Sequence, residues 1–578
     1  MKKRWIFISF ASLLIFLFNT AMANDKDTYT RASYGLTKTL DPAIAYDSAS
    51  TMKLYNIYER LVEFDGDSTE KYKPLLAAKV PTIANGGISK DGRTYTFEIR
   101  KGVKFHNGET LTAKDVEYSL ERSMIVDQDG GPSWMMLDAV TGYISTREGG
   151  AVVPGIFKTI VGSVSSKGNK VTIKLPGPYP PFMSVLQFPL NSIVNKKWAI
   201  ENGAWDGKLS TAAKFNNPAP DSEPLKSIAN GTGAYKLKSW EKSKQFVMEK
   251  FDNYWAGGAS IPTVVEKYAA EWSLRKLMLQ NGDVDSIDID ASYYTEVKDL
   301  PDVNFYFVPQ LSVTLALMNQ KIATANNPDV GSGKLDGNGI PSNFFSNVNV
   351  RKAFQHAFDY NTYREESAQG MIQTPRTPNV QGMPYYKEVP LPEFDLAKAE
   401  AFLKKAHEGK VWENGFKMTI AYAAGSRLRE APAQILAKNI NSINSKFQIS
   451  TRKVSREEYN NDFPQGRYPI ILATWTADYP DPHSLLSTFM HSLGVYGIYL
   501  GVVYKDVDTL CDEGFLSADP KARKEIYQKL QDIWAERALG IGIYQPIAVK
   551  AYRKSISGFV PNPMFNTTHD LLKTLKKN

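Results

Sequence analysis

Residues 470–482 read Ile470-Ile471-Leu472-Ala473-Thr474-Trp475-Thr476-Ala477-Asp478-Tyr479-Pro480-Asp481-Pro482. The first four are an apolar run of the kind a buried strand shows. Trp475 and Asp478 follow before prolines stop the pattern. Pro480 and Pro482 cannot donate to a ladder, so the chain must leave its sheet close to Asp478, with strand backbone beside it open to a guest. An extended peptide is such a guest. The same letters are also good turn chemistry, in which Asp478 only caps a turn.

Working outward, 578 residues with 43% hydrophobic and 12% aromatic side chains are enough for at least two cored lobes. The formal charge is +8. Residues 1–23 read as a secretory leader: Lys2, Lys3 and Arg4, an apolar core from Trp5 to Phe18, then Ala21-Met22-Ala23 as a small-x-small cleavage site. Without those three cations the mature chain carries +5. Its basic residues are scattered, which argues against nucleic acid as a partner. The leader's core is shorter than the roughly 20 residues that span a bilayer. The single cysteine, Cys511, lies far from the cleavage site, so no lipoprotein thiol stands there and no internal disulfide can form. The expectation is soluble export.

The flanking chain reads as interleaved strands and helices. After the Asp91-Gly92 turn, Tyr95, Phe97 and Ile99 alternate with polar residues as a half-buried strand does. Thr112 and Asp115 resemble a capping box ahead of Val116, Leu120 and Met124 at helical spacing. Residues 235–250 read as a hairpin. Gly231-Thr232-Gly233 lacks the third glycine of a dinucleotide loop and leads into a strand, so no nucleotide cofactor is read there. The acidic run Asp283, Asp285, Asp288 and Asp290 fails the calcium-loop spacing and reads as a turn plus a half-exposed strand. Residues 323–346 read as an exposed loop. Asp395, the Ser455 and Glu458 pair, and Asp519-Pro520 each mark a helix start.

No Gly-x-Ser-x-Gly elbow, His-Glu-x-x-His motif or cysteine pair is present. His483 and His491 are the one close histidine pair, and their spacing favours surface or core roles over a metal site. The reading is therefore of a binding protein without cofactor or metal. A hydrolase built on unplaced carboxylates is the alternative from another class.

Taken together, Leu40-Asp41-Pro42, residues 95–122, Gly231 to Leu237, Asp252 to Trp255, Gly282 to Asp285, Val350 to Phe354, Trp475 to Pro482 and the helix after Asp519 resemble, in that order, extracellular solute-binding protein family 5. These are the dipeptide- and oligopeptide-binding proteins of bacterial ABC importers. The resemblance implies an α/β, type II-like clamshell: first lobe 24–62, 186–272 and 546–578, an inserted domain 63–185, and a second lobe 273–545. It implies a monomeric periplasmic receptor that hands short peptides to membrane permease subunits. In the family, the aspartate of the Trp-x-x-Asp motif pairs with the ligand's α-ammonium and the adjacent backbone takes the peptide as an added strand. Those positions are Asp478, Trp475 and the main chain of Thr474, Thr476 and Ala477, with Asp47 and Ser50 on the opposite wall. The family's carboxylate-binding basic residue does not transfer, because Leu472 stands where some members place an arginine; Arg427, Arg429 and Arg467 lie in the vicinity. Some relatives bind oligosaccharides, opines or metal complexes instead.

Overall fold

The computed structural model describes residues 26–578, apart from 220, 425, 426, 502 and 565–569. The leader expected over 1–23 lies outside the described residues. The chain opens with β1 (Thr28–Ser33) and α1 (Ser48–Ile57). It then builds β2 (Thr94–Glu98), α2 (Ala113–Val126), β3 (Val164–Lys167) and β4 (Lys170–Lys174). Strand β2 alternates buried and half-buried residues, as its pattern predicts, and pairs with β4, which pairs with β3. Both halves of the Thr112 and Asp115 capping box form at the start of α2.

Next come β5 (Tyr235–Glu241), β6 (Gln245–Lys250), β7 (Thr263–Tyr268), α3 (Trp272–Asn281), β8 (Ser286–Ile289), β9 (Val303–Pro309) and β10 (Ser312–Met318). The hairpin expected at 235–250 is the β5 and β6 pair. Gly231 and Gly233 precede it because a Cβ there would sit 2.1 Å from the Ile57 carbonyl oxygen or 2.3 Å from that of Asn56, against the end of α1. The second half adds α4 (Val348–Ala357), β11 (Phe416–Ala423), α5 (Arg427–Ile443), β12 (Phe447–Val454) and β13 (Ile470–Thr476). It closes with α6 (Pro482–Met490), α7 (Val495–Leu500), α8 (Pro520–Glu536) and β14 (Gly540–Arg553).

One ten-stranded sheet threads the molecule in the order β13-β10-β14-β8-β1-β7-β6-β5, with β9 and Ile372–Gln373 also paired to β14. Strand β14 is the spine. Its residues 540–544 pair with β10, while 547–553 pair with β9 and 549–552 with β8. Because β8 sits between β1 and β14, residues that follow position 273 in sequence lie in the sheet that β1 begins.

Two expectations need correction. The strand in the acidic run is not half-exposed: all of β8 is buried, with Asp288 only 1% exposed, while Asp283 before it is half-buried and Asp290 after it is exposed. Cations make this tolerable, since a buried carboxylate must be paired. Asp288 meets Arg31 and accepts from Ser33 Oγ at 2.5 Å, and Asp285 meets Lys577 at 2.9 Å. Arg31 also reaches Glu266 and Asp570, Lys53 pairs with Glu266, and Lys550 with Asp570 at 2.9 Å. Three buried cations and three buried anions thus tie β1, α1, β7, β8, β14 and the C-terminal segment together. Removing any one would strand a charge, which typically costs about 3–5 kcal/mol. Second, the loop 323–346 buries Val330, Ile340, Phe344 and Phe345 completely in the core around α4 and β11. Its glycines, asparagines and serines hid those anchors, which do not recur at any regular spacing.

Candidate functional site

Strand β13 ends the hydrogen-bonded order of the sheet, pairing with β10 alone. Ile470 and Leu472 share a core with Met418 and Ile420 of β11, so β11 flanks the first half of the strand. The second half emerges: Thr474 and Trp475 are half-buried and Thr476 is exposed. The antiparallel register pairs Thr476 with Ser312 and Thr474 with Thr314. Ala477 donates its N–H to the Leu311 carbonyl at 2.8 Å, and the Trp475 carbonyl accepts from Ser312 Oγ at 3.2 Å. Bonded and non-bonded pairs alternate along such a ladder. The N–H and C=O groups of Ala477 and Trp475 therefore face β10, while those of Thr476 and Thr474 face the open edge. Of the main-chain set expected from sequence, Thr474 and Thr476 turn their backbone to the open edge, and Ala477 holds the strand end to β10.

The side chains divide the same way. Thr474 and Thr476 hydrogen-bond Thr314 and Ser312 at 2.7 and 2.9 Å on one face. The Trp475 indole lies on the other, edge-on to Tyr496 with centroids 6.2 Å apart. Its Nε1 is buried and has no hydrogen-bond partner among the described residues. Tyr496, in α7, donates to the Thr474 carbonyl at 2.9 Å. Arg429, at the start of α5, lies close enough for its charge to act on the Tyr496 hydroxyl. Its Nε is buried without a partner, and the described residues supply it no ion pair. By contrast Arg467 is engaged by Asp462 and the Asn326 carbonyl, and Arg427 is exposed.

Asp478 follows where the prolines force the chain out. Asp481, three residues on, caps α6 and is paired with Arg523 at 2.9 and 3.0 Å. Asp478 has no cation among the described residues. Its Oδ1 accepts instead from the Tyr46 hydroxyl at 2.5 Å, and Tyr46 Oη in turn accepts from Trp134 Nε1 at 3.2 Å. Burial raises the Asp478 carboxyl above its ordinary value, and the Tyr46 hydrogen bond offsets part of that rise. Burial, together with the adjacent carboxylate, holds the Tyr46 phenol well above its usual range. This chain of donors ends on a carboxylate that could still accept at Oδ2.

Tyr46 was not singled out from sequence, since a tyrosine in a loop has no periodicity to mark it; its neighbour Asp47 was. Asp47 Oδ1 caps α1 by accepting from Ser50 N–H at 2.9 Å. Ser50 is 0% exposed, and its hydroxyl accepts from the backbone N–H groups of Lys38 and Thr39 at 2.9 and 3.2 Å. Both expected residues brace the segment that carries Tyr46. Close by, Lys38, Tyr46, Asp47, Gln128 and Glu223 line a cavity of about 520 Å³. Elsewhere Thr69 Oγ1 donates to the Gly382 carbonyl at 2.8 Å, and Tyr179 packs edge-on to Phe515 at 5.2 Å. Among the described residues no group of three His, Cys, Asp or Glu side chains is placed to hold a metal ion, and no helix is long and apolar enough to cross a membrane.

Residues 71–497 match the model of bacterial extracellular solute-binding proteins, family 5 Middle. The chain belongs to that family. Among curated relatives, a probable D,D-dipeptide-binding periplasmic protein of Escherichia coli is 24% identical over 92% of this chain and 91% of its own length. Among solved structures, HbpA2 from Haemophilus parasuis superposes with a TM-score of 0.73 at 21% identity, over 95% of this chain and 100% of that one. The Helicobacter pylori periplasmic binding protein DppA, solved with the peptide STSA, superposes with 0.64 at 22% identity over 95% and 98%. These family-5 structures share this chain's clamshell fold, and members of the family bind solutes.

Proposed function

We propose that this protein is a periplasmic receptor that encloses a short peptide between two lobes and presents it to the permease of an ABC importer, acting as a monomer and without catalysis. The observation that carries this reading is Asp478, a half-buried carboxylate with no cation of its own among the described residues, at the end of an open strand edge. An α-ammonium placed there donates to Asp478 and to the outward Thr476 carbonyl together. The peptide then runs back along β13 as an added strand, so main-chain bonds supply affinity that ignores side-chain identity. Arg429 and the Trp475 indole N–H, both with unpartnered buried donors, suit a carboxylate at the far end. Peptide-binding relatives and a neighbour solved with a tetrapeptide support the same chemistry.

Export by cleavage after Ala23, with no lipid anchor, completes the proposal. The lobes cross where β9 passes into β10, at 309–312, and within β14 at 545–547, where the strand's partner on that edge changes from β9 to β10. Mass spectrometry of what copurifies with native protein tests the ligand class: short peptides are expected, and a glycan or a metal complex would refute the peptide assignment. Asp478→Ala should leave the fold intact and weaken peptide binding by about 2–5 kcal/mol in calorimetry, the range for truncating one partner of a buried charge pair. An N-acetylated peptide should lose a similar amount against the wild type and little against the variant, since both changes delete one contact.

A further inference from the structure

Resting on the peptide reading, we infer that Tyr496 sets the length of the ligand by closing the strand edge after two residues. An ammonium held at Asp478 fixes the direction of the guest, which must run antiparallel to β13 from Thr476 toward Thr474. In that arrangement only alternate residues of β13 offer backbone outward. The first ligand residue pairs with Thr476, the second lies opposite Trp475, whose N–H and C=O face β10, and the third would pair with Thr474. The third residue's N–H needs the Thr474 carbonyl, and the Tyr496 hydroxyl already donates to that oxygen at 2.9 Å, so the incoming amide must compete with it for the outward position.

The cap is held firmly. Tyr496 is 7% exposed, stacks on Phe489 at 4.8 Å, and packs against Phe463 at 5.5 Å and Trp475 at 6.2 Å. Behind Thr474, β11 covers the earlier part of the strand, so the edge offers no later pairing site. Two residues at about 3.4 Å each bring a C-terminal carboxylate roughly opposite Thr474. There Arg429 stands near Tyr496 and supplies the cation. A dipeptide satisfies both ends. A tripeptide leaves an amide unpaired against a capped carbonyl and carries its carboxylate past the cation.

A cap that only satisfies a carbonyl at a sheet edge would be indifferent to ligand length, so a length series separates the two roles. Calorimetry with dialanine, trialanine and tetraalanine on the full mature chain should show dialanine bound at least about tenfold more tightly than the others. Tyr496→Phe keeps the ring packing and frees the Thr474 carbonyl. It should raise trialanine affinity about three- to tenfold, a single hydrogen bond's worth, and leave dialanine within about twofold. Equal affinity for all three peptides in the wild type, or an unchanged preference in Tyr496→Phe with dialanine still bound, overturns the role of Tyr496 and leaves the peptide reading standing. Failure of every peptide to bind the wild type overturns both.

Discussion

The chemistry at residue scale is that of one carboxylate and the donor that covers it. Burial raises Asp478, and in the proposed site a ligand ammonium would favour its ionised form, so binding would lower it again. The sign follows directly. Affinity is full at neutral pH and falls as pH drops through the raised value, with a proton released on binding in that window. The decline should begin above the ordinary carboxylate value of about 3.9, and a second decline should set in on the alkaline side as the ligand's own α-amino group, near 8, loses its charge. Calorimetry in buffers of different ionisation enthalpy reads both the affinity and the proton. Asp478→Asn should abolish the acidic decline; a wild-type profile that stays flat down to pH 4 would remove Asp478 from the site. The Tyr46 hydroxyl remains protonated across this range, so it contributes a donor and no titration.

At the scale of elements, the strand that matters presents two outward backbone positions and alternates them with two that hold it in the sheet. Thr476→Pro deletes an outward N–H that plays no part in pairing with β10, and proline is tolerated where its missing donor would have faced away from the ladder. The variant should melt close to the wild type and bind dialanine about threefold to tenfold more weakly, the loss of one hydrogen bond. Unchanged binding in a folded Thr476→Pro protein would show that the ligand does not use this edge. Much of the local framework was legible beforehand. The run 470–476, the capping box at Thr112 and Asp115, the hairpin after Gly233 and the starts at Asp395 and Asp519 all became elements where their residues predicted. What stayed hidden was relational. Tyr46 and Tyr496 act by reaching another part of the chain, and nothing in their own neighbourhood of sequence records that reach. The membership of β8 in the sheet that β1 begins was hidden for the same reason, since a short apolar strand looks alike beside any partner.

Over the whole molecule, the donors that cover Asp478 come from far apart in the chain: Tyr46 just before α1, and Trp134 from the segment between α2 and β3. The buried ion network ties β1, β8, the end of β14 and the C-terminal segment into one body. On the proposed reading, closing the clamshell without ligand would bury the Asp478 charge with one hydroxyl as partial compensation. A ligand ammonium removes the remaining penalty, so it favours the closed form by its differential affinity for that form, and by no more. Replacing the charge with a neutral amide removes the penalty at its source. Free Asp478→Asn protein should therefore be more compact in small-angle X-ray scattering than free wild type. Adding dialanine should shrink the wild type and change the variant little. Identical radii for the two free proteins, with equal contraction on adding dialanine, would mean that closure is driven by contacts elsewhere in the cleft and that the Asp478 charge has no part in holding the lobes open.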